Sequence, residues 1–351
     1  MAGIKVHFDR EELVDRLQQR LYSQLFGLVR DIGSYPAPPR GPRFFVDHVA
    51  VAGDPGGPPP ATGAGALRSE SRVRALGAAV ERHADAVADR ADRYADDGTG
   101  LVRADDLLGN ADDPLADAGD LLAGADHLLG NADDLLAEDL LGDASQWVPA
   151  GTLLARYTPA PGEPQAPPPR AAATASHIVR DKAVLAALRR VVARDAAQGP
   201  HRRIVHGDRT RPLDRILARR LGRGTRAAFH LADSPGFTVT CVLTLPGGGQ
   251  ITGITNHAVL VRAMHEALLE AVRAGQDAYW RTGYVRVELD IAGTVEADGL
   301  GPDELTAARD GIASIVTAWR GSGRRVLHRD LTTPDVLAAG FHVARVGLLR
   351  S

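Results

Sequence analysis

The sequence predicts an α/β fold. Segments with apolar residues three and four positions apart take turns along the chain with segments that alternate every second residue, the two periods of helices and half-buried strands. A length of 351 residues with 44% hydrophobic and 24% charged residues suits a soluble globular chain with one large core or two ordinary domains.

Taken in order, residues 9–31 read as an amphipathic helix. Asp9 is placed to cap it, Glu12 takes the reciprocal position, and Leu13, Leu17, Leu21, Leu25 and Leu28 form the apolar stripe. Gly33 and the prolines from Pro36 onward are its stop signals, and Phe44–Val51 reads as a strand before a Pro/Gly loop over 53–65. Residues 68–83 form the next helix, with Ser69 or Ser71 as a cap and Val73, Leu76 and Val80 facing a core. Arg74, Ala78, Glu81 and Arg82 lie on a neighbouring face, and by itself Glu81 is a solvated helix carboxylate.

A helix follows from Arg180 to Gln198, after a Pro-rich extended segment over 158–170. Phe229–Asp233 and Phe237–Pro246 are strands separated by a loop, and Gly247–Gly249 make a turn. Asn256 is the expected cap of a helix over His257–Val272, which carries Glu266 and Glu270. His265 beside Glu266 lacks the second histidine of a metalloprotease helix. Tyr284–Ile291 alternates as a strand, and Pro302 starts a helix through Ala318. Thr333 caps a short helix with Pro334 in its first position, Gly340 closes it, and Phe341–Val346 is the last strand.

Charge is distributed unevenly. The net charge is −3, yet residues 105–143 carry twelve acidic residues and no Lys or Arg. The remainder therefore holds 32 acidic against 41 basic residues, a balance suited to a phosphate-bearing ligand or an acidic peptide, or to arginines scattered over a solvated surface. The acidic stretch repeats L-L-G-N-A-D-D at Leu107–Asp113 and Leu128–Asp134, but its spacing is not that of a calcium loop. An expanded Leu-rich insert, two short amphipathic helices, is the expectation; docking of a basic partner is one role for it. No apolar run reaches the roughly 18 residues of a membrane helix. No secretory layout opens the chain, and Cys241 is its only cysteine, so a cytoplasmic location is expected. Arginine in large excess over lysine, with abundant Ala, Gly, Pro and Asp, suggests a high-GC bacterial gene.

Several tracts together resemble the YcaO-domain family. R-A-L-G-A-A-V-E-R (Arg74–Arg82) is similar to that family's first nucleotide motif, S-A-x-x-E-x-x-E-R, with Arg74 at the Ser position, Ala78 at the first Glu position, and Glu81 and Arg82 matching. A-A-L-R-R-V-V-A-R-D-A (Ala186–Ala196) is similar to the second, G-L-L-E-x-x-E-R-D-A. Arg194, Asp195 and Ala196 match there, and Arg190 and Ala193 replace both glutamates. W-V-P-A-G-T-L-L from Trp147, the tract from Arg223 to Trp280, and D-L-T-T-P-D-V-L-A-A-G-F-H-V-A-R-V from Asp330 also follow the family in order. The family's domain continues into a Pro-containing tail that reaches the active site; this chain closes at Ser351.

The resemblance implies a single YcaO-like domain over 1–351, mixed β-sheets flanked by helices, with 104–145 as an acidic insertion. It also implies bacterial biosynthesis of ribosomally made, post-translationally modified peptides, where the family uses ATP and Mg²⁺ to activate backbone amides for azoline or thioamide formation. Carried over by position, Glu81, Arg82, Arg194 and Glu270, with Glu266 next, are the cofactor-binding residues. Glu81 and Glu270 are the metal-binding pair, and no catalytic residue is assigned. Three of the four motif carboxylates are replaced. The expectation is therefore a non-catalytic subunit that binds precursor peptide and an active homologue or peptide-docking partner, as a homodimer or heterodimer, without nucleic acid or membrane. An active ATP-dependent cyclodehydratase using Glu81, Arg82, Arg194, Glu266 and Glu270 is the alternative.

Overall fold

Residues 10–22, 27–37, 41–52, 60–94, 134–139, 145–149, 153, 169–281, 289–299, 311–320 and 324–349 are those described by the structure, a computed structural model. Asp9, most of the acidic repeat, most of the Pro-rich segment, most of the expected strand at 284–291 and the first half of the expected helix from Pro302 lie outside them.

Sheet A has the order β1-β2-β3, from Val29–Tyr35, Phe45–Val51 and Ala61–Gly65. The second sheet runs β5-β4-β12-β13-β6: Ser145–Pro149, Asp134–Asp139, Arg325–Asp330, His342–Leu349 and Ala171–His177. The third runs β10-β9-β8-β7-β11: Gln250–His257, Phe237–Thr244, Arg226–Ala232, His201–Val205 and Ile291–Glu296. Its pairs are antiparallel except β7–β11, which is parallel, so the sheet is mixed as expected. The helices are α1 (Arg10–Leu21), α2 (Arg68–Tyr94), α3 (Arg180–Ala196), α4 (Arg211–Arg220), α5 (Leu260–Arg281), α6 (Ile312–Arg320) and α7 (Pro334–Ala338).

Each long helix seals one sheet. Leu76, Val80 and Ala84 of α2 are fully buried with Leu17 and Leu21 of α1 and Val49 of β2; a Leu buried this way contributes about 1.5–3 kcal/mol. Met264 and Leu268 of α5 pack on Val239, Cys241 and Leu243 of β9, and burial pushes the Cys241 thiol far above its usual range. Leu188 and Val191 of α3 pack on Ala173 and Ala175 of β6 and on Trp319 of α6. Two glycines permit the closest layers. A Cβ on Gly63 of β3 would overlap the backbone of Ser71 and Ala75 in α2, and one on Gly253 of β10 would overlap that of Ala267 and Ala271 in α5.

Several sequence expectations are corrected. The helix read over 9–31 ends at Leu21, and β1 takes residues 29–35. Leu28 still packs on the same core, from the bend that precedes β1, and V-R-D-I-G-S-Y pairs with β2, Val29 opposite Val51 and Tyr35 opposite Val46. Gly33, read as a helix stop, is a strand position facing the His48 ring. The loop read over 53–65 contains β3. Within the acidic tract, residues 134–139 are a strand paired with β12 and β5, where helix was expected.

The cap assignments also change. Ser71 lies inside α2 and donates to Asp47 Oδ2 at 2.6 Å, while Glu70 accepts the Ala66 N–H at 2.9 Å. Asn256 belongs to β10 and donates to Pro235 O and Thr238 Oγ1. Thr333 precedes α7 without a side-chain cap; its hydroxyl donates to Asp335.

Candidate functional site

Helices α2 and α3 bring Glu81, Arg190 and Arg194 to β6, while α5 carries Glu266 and Glu270 on the neighbouring β10. Glu81 is held on one α2 face because Leu76, Val80 and Ala84 commit the adjacent face to the core. Its side chain is only 14% exposed. Glu81 Oε1 accepts the Ser176 N–H at 2.9 Å and the Ser176 hydroxyl at 3.2 Å, and Oε2 accepts from Arg190 Nη1 at 2.6 Å. Arg190 Nη1 also donates to the Thr174 carbonyl, and Arg194, one turn further along α3, donates to the Ala172 carbonyl. Both guanidiniums are thus pinned along β6.

The neighbouring charges are polarised around Arg190. Glu81 is its main electrostatic partner, with Glu270 and Glu266 of α5 contributing from further away; together they raise the guanidinium pKa against the cost of burial. Arg194 is shifted the other way, first by burial and then by repulsion from Arg190 and Arg345, with only Glu81 opposing. Glu270 is paired with Arg273 on its own helix at 2.8 Å. Glu266 receives a long 3.5 Å bond from Thr255 Oγ1, and Arg82 is half-buried on α2 after Glu81. The positions that depart from the family motifs are accounted for as well. Arg74 pairs with Glu70 at 3.1 Å, Ala78 packs on the α2 core, and Ala193 is 2% exposed.

The site also contains residues that the sequence reading did not single out. Thr174 Oγ1 donates to Asp85 of α2 at 2.9 Å and accepts from Arg345 of β13 at 2.8 Å, and Arg345 is itself 8% exposed. His177 Nδ1 accepts the Val179 N–H, and His257 Nδ1 accepts the Val259 N–H, both at 3.0 Å, where strands β6 and β10 turn into α3 and α5. Burial, with Arg189 and Arg262 nearby, pushes the His257 imidazole down to about 4. The signal was present as a repeated S/N-H-x-V at 176–179 and 256–259. Asp195, which matches the second motif, faces away from the site. It pairs with Arg170 and Arg324 in a cleft walled by Trp319.

A family model described as YcaO cyclodehydratase, ATP- and Mg²⁺-binding, matches residues 62–347. The chain belongs to the YcaO family. Its fold is similar to that of YcaO from Methanopyrus kandleri bound with AMPPCP and Mg²⁺, at TM-score 0.63 and 20% identity over 97% of this chain and 90% of that one. It is also similar to a heterocyclase in complex with substrate and cofactor, at TM-score 0.59 and 15% identity over 97% and 52%. A third neighbour is the E. coli microcin synthetase McbBCD complex with pro-MccB17 bound, at TM-score 0.52 and 13% identity over 93% and 89%. No curated protein matches the chain by sequence.

The family description raises the question of fit. Magnesium takes oxygen ligands in near-octahedral order, commonly one or two carboxylates with waters and phosphate. Here Glu81 has about four lone-pair sites, and three already accept hydrogen bonds. Among the described residues, no three His, Cys, Asp or Glu side chains gather as metal ligands. Glu81 and Glu270, the expected metal pair, each face an arginine. The donor set in this arrangement does not fit magnesium, and no chemical step is assigned to it.

Proposed function

We propose that this YcaO-family protein is a non-catalytic subunit of a peptide-modifying system, binding precursor peptide and a partner enzyme without turning over ATP. The observation that carries this reading is the Glu81–Arg190 ion pair. The retained motif carboxylate is neutralised by an arginine standing where the family has a second carboxylate. Opposite charges in place of like ones remove the reason for a divalent cation to sit between them. Peptide binding is supported by the fold shared with a complex that holds pro-MccB17 and with a heterocyclase that holds substrate.

The test measures phosphate release from Mg·ATP with and without a candidate precursor peptide, in parallel with peptide binding by fluorescence anisotropy. Peptide binding without phosphate release is expected. Phosphate release that Glu81→Ala abolishes would overturn the reading. It would favour the ATP-dependent alternative, for which the exposed faces of Arg190 and Arg194 provide phosphate-binding groups.

A further inference from the structure

We propose that Arg190 is the built-in cation of this site, and that Arg190 and Arg194 together hold an oligophosphate without any divalent metal. The inference rests on the reading above and adds a ligand class to it.

Its geometric basis is the arrangement around one guanidinium. Glu81 contacts Arg190 directly, and Glu270 and Glu266 of α5 act on it from further away. One carboxylate of α2 therefore pairs with a fixed positive charge, where a bound cation would otherwise be expected. An arginine on a helix cannot leave, so the carboxylate is neutralised whether or not metal is supplied.

The second observation is unused donor capacity. Arg190 makes both of its bonds through Nη1, so among the described residues Nε and Nη2 have no partner. Arg194 likewise uses only Nη1. The two side chains lie four residues apart on the exposed face of α3, where like charges repel. The carboxylate acting on Arg194, Glu81, is already paired with Arg190. Two adjacent guanidinium forks with spare hydrogens match the non-bridging oxygens of successive phosphoryl groups.

The experiment is calorimetric titration of the full chain with sodium tripolyphosphate, first in EDTA and then with excess Mg²⁺. Wild type is expected to bind in EDTA, with affinity falling as salt rises and falling again when Mg²⁺ complexes the ligand. Arg194→Gln should lose about tenfold in affinity, the size of one charge-assisted hydrogen bond. Arg190→Glu should reverse the metal dependence, losing binding in EDTA and regaining it with Mg²⁺. Arg194→Gln keeps the proposal testable if Arg190→Glu does not fold. Binding by wild type only when Mg²⁺ is present would overturn this inference, while the non-catalytic reading falls only to phosphate release from Mg·ATP. No binding under either condition would overturn the inference alone.

Discussion

Replacing Arg190 with methionine tests the physical basis of the site most directly. The substitution keeps an unbranched stem of similar bulk on α3 but removes the group that donates to Glu81 Oε2 and to the Thr174 carbonyl. Exposed ion pairs contribute about 0–1 kcal/mol, whereas breaking a fully buried pair costs about 3–5 kcal/mol. Glu81 is 14% exposed and Arg190 48%, which places this pair between those limits. Glu81 would keep two hydrogen bonds from Ser176, so it is not stranded. Relief of Arg190–Arg194 repulsion offsets a further few tenths. The net cost is about 2 kcal/mol, roughly a 30-fold change in the folded-to-unfolded ratio. Urea unfolding at neutral pH measures it as a shift in midpoint at constant slope. In a double-mutant cycle with Glu81→Gln, the coupling should be about 1–2 kcal/mol. An Arg190→Met midpoint within about 0.5 kcal/mol of wild type, or fully additive single changes, would refute a mutual pairing.

Two further outcomes follow from the same structure. The His257 imidazole, held down at about 4 from a usual 6.5, favours the neutral form in the fold, so its contribution is complete above pH 6.5 and is lost as pH falls towards 4. Partial exposure limits the effect to about 2 kcal/mol of the roughly 3 that the shift allows; thermal melts should show His257→Gln losing less stability than wild type between pH 7 and 5, and equal losses would contradict the assignment. Gly253→Ala forces a Cβ into the α5 backbone and should cost about 3 kcal/mol, whereas Gly199→Ala, which meets only the Ala196 carbonyl at 3.5 Å, should melt close to wild type; similar melting of the two variants would mean that β10 and α5 are not locked together.

Much of the fold was legible because the long helices carry strong periodic signals. The boundaries of α3 agree to within two residues of the reading from apolar spacing, and β9 and β2 agree to the same degree. The failures concentrate where local and tertiary preferences compete. Leu25 and Leu28 continue a helical stripe, yet V-R-D-I-G-S-Y has a free partner in β2, and sheet hydrogen bonds outweigh a weak helical preference. Ser71 and Asn256 are good caps by residue type, but each finds a partner in a neighbouring strand, Asp47 for Ser71 and Thr238 for Asn256, which also donates to the Pro235 carbonyl before β9. Such partners are invisible to a local rule.

The candidate site divides along the same line. Motif comparison identifies Glu81 as retained and Arg190 as a replacement, but a list of substitutions does not say whether they act independently. Proximity decides it: α2 and α3 both pack against β6, and the 2.6 Å contact makes the two positions one electrostatic unit. Once they are coupled, the loss of the remaining carboxylates ceases to be simple decay. A second glutamate at position 190 would repel Glu81 and require a cation between them, whereas an arginine there satisfies Glu81 without one. Ala78 and Ala193 then pack with their surroundings rather than reach for a metal. On the proposed non-catalytic reading, the substitutions describe one change in charge balance, distributed over two helices.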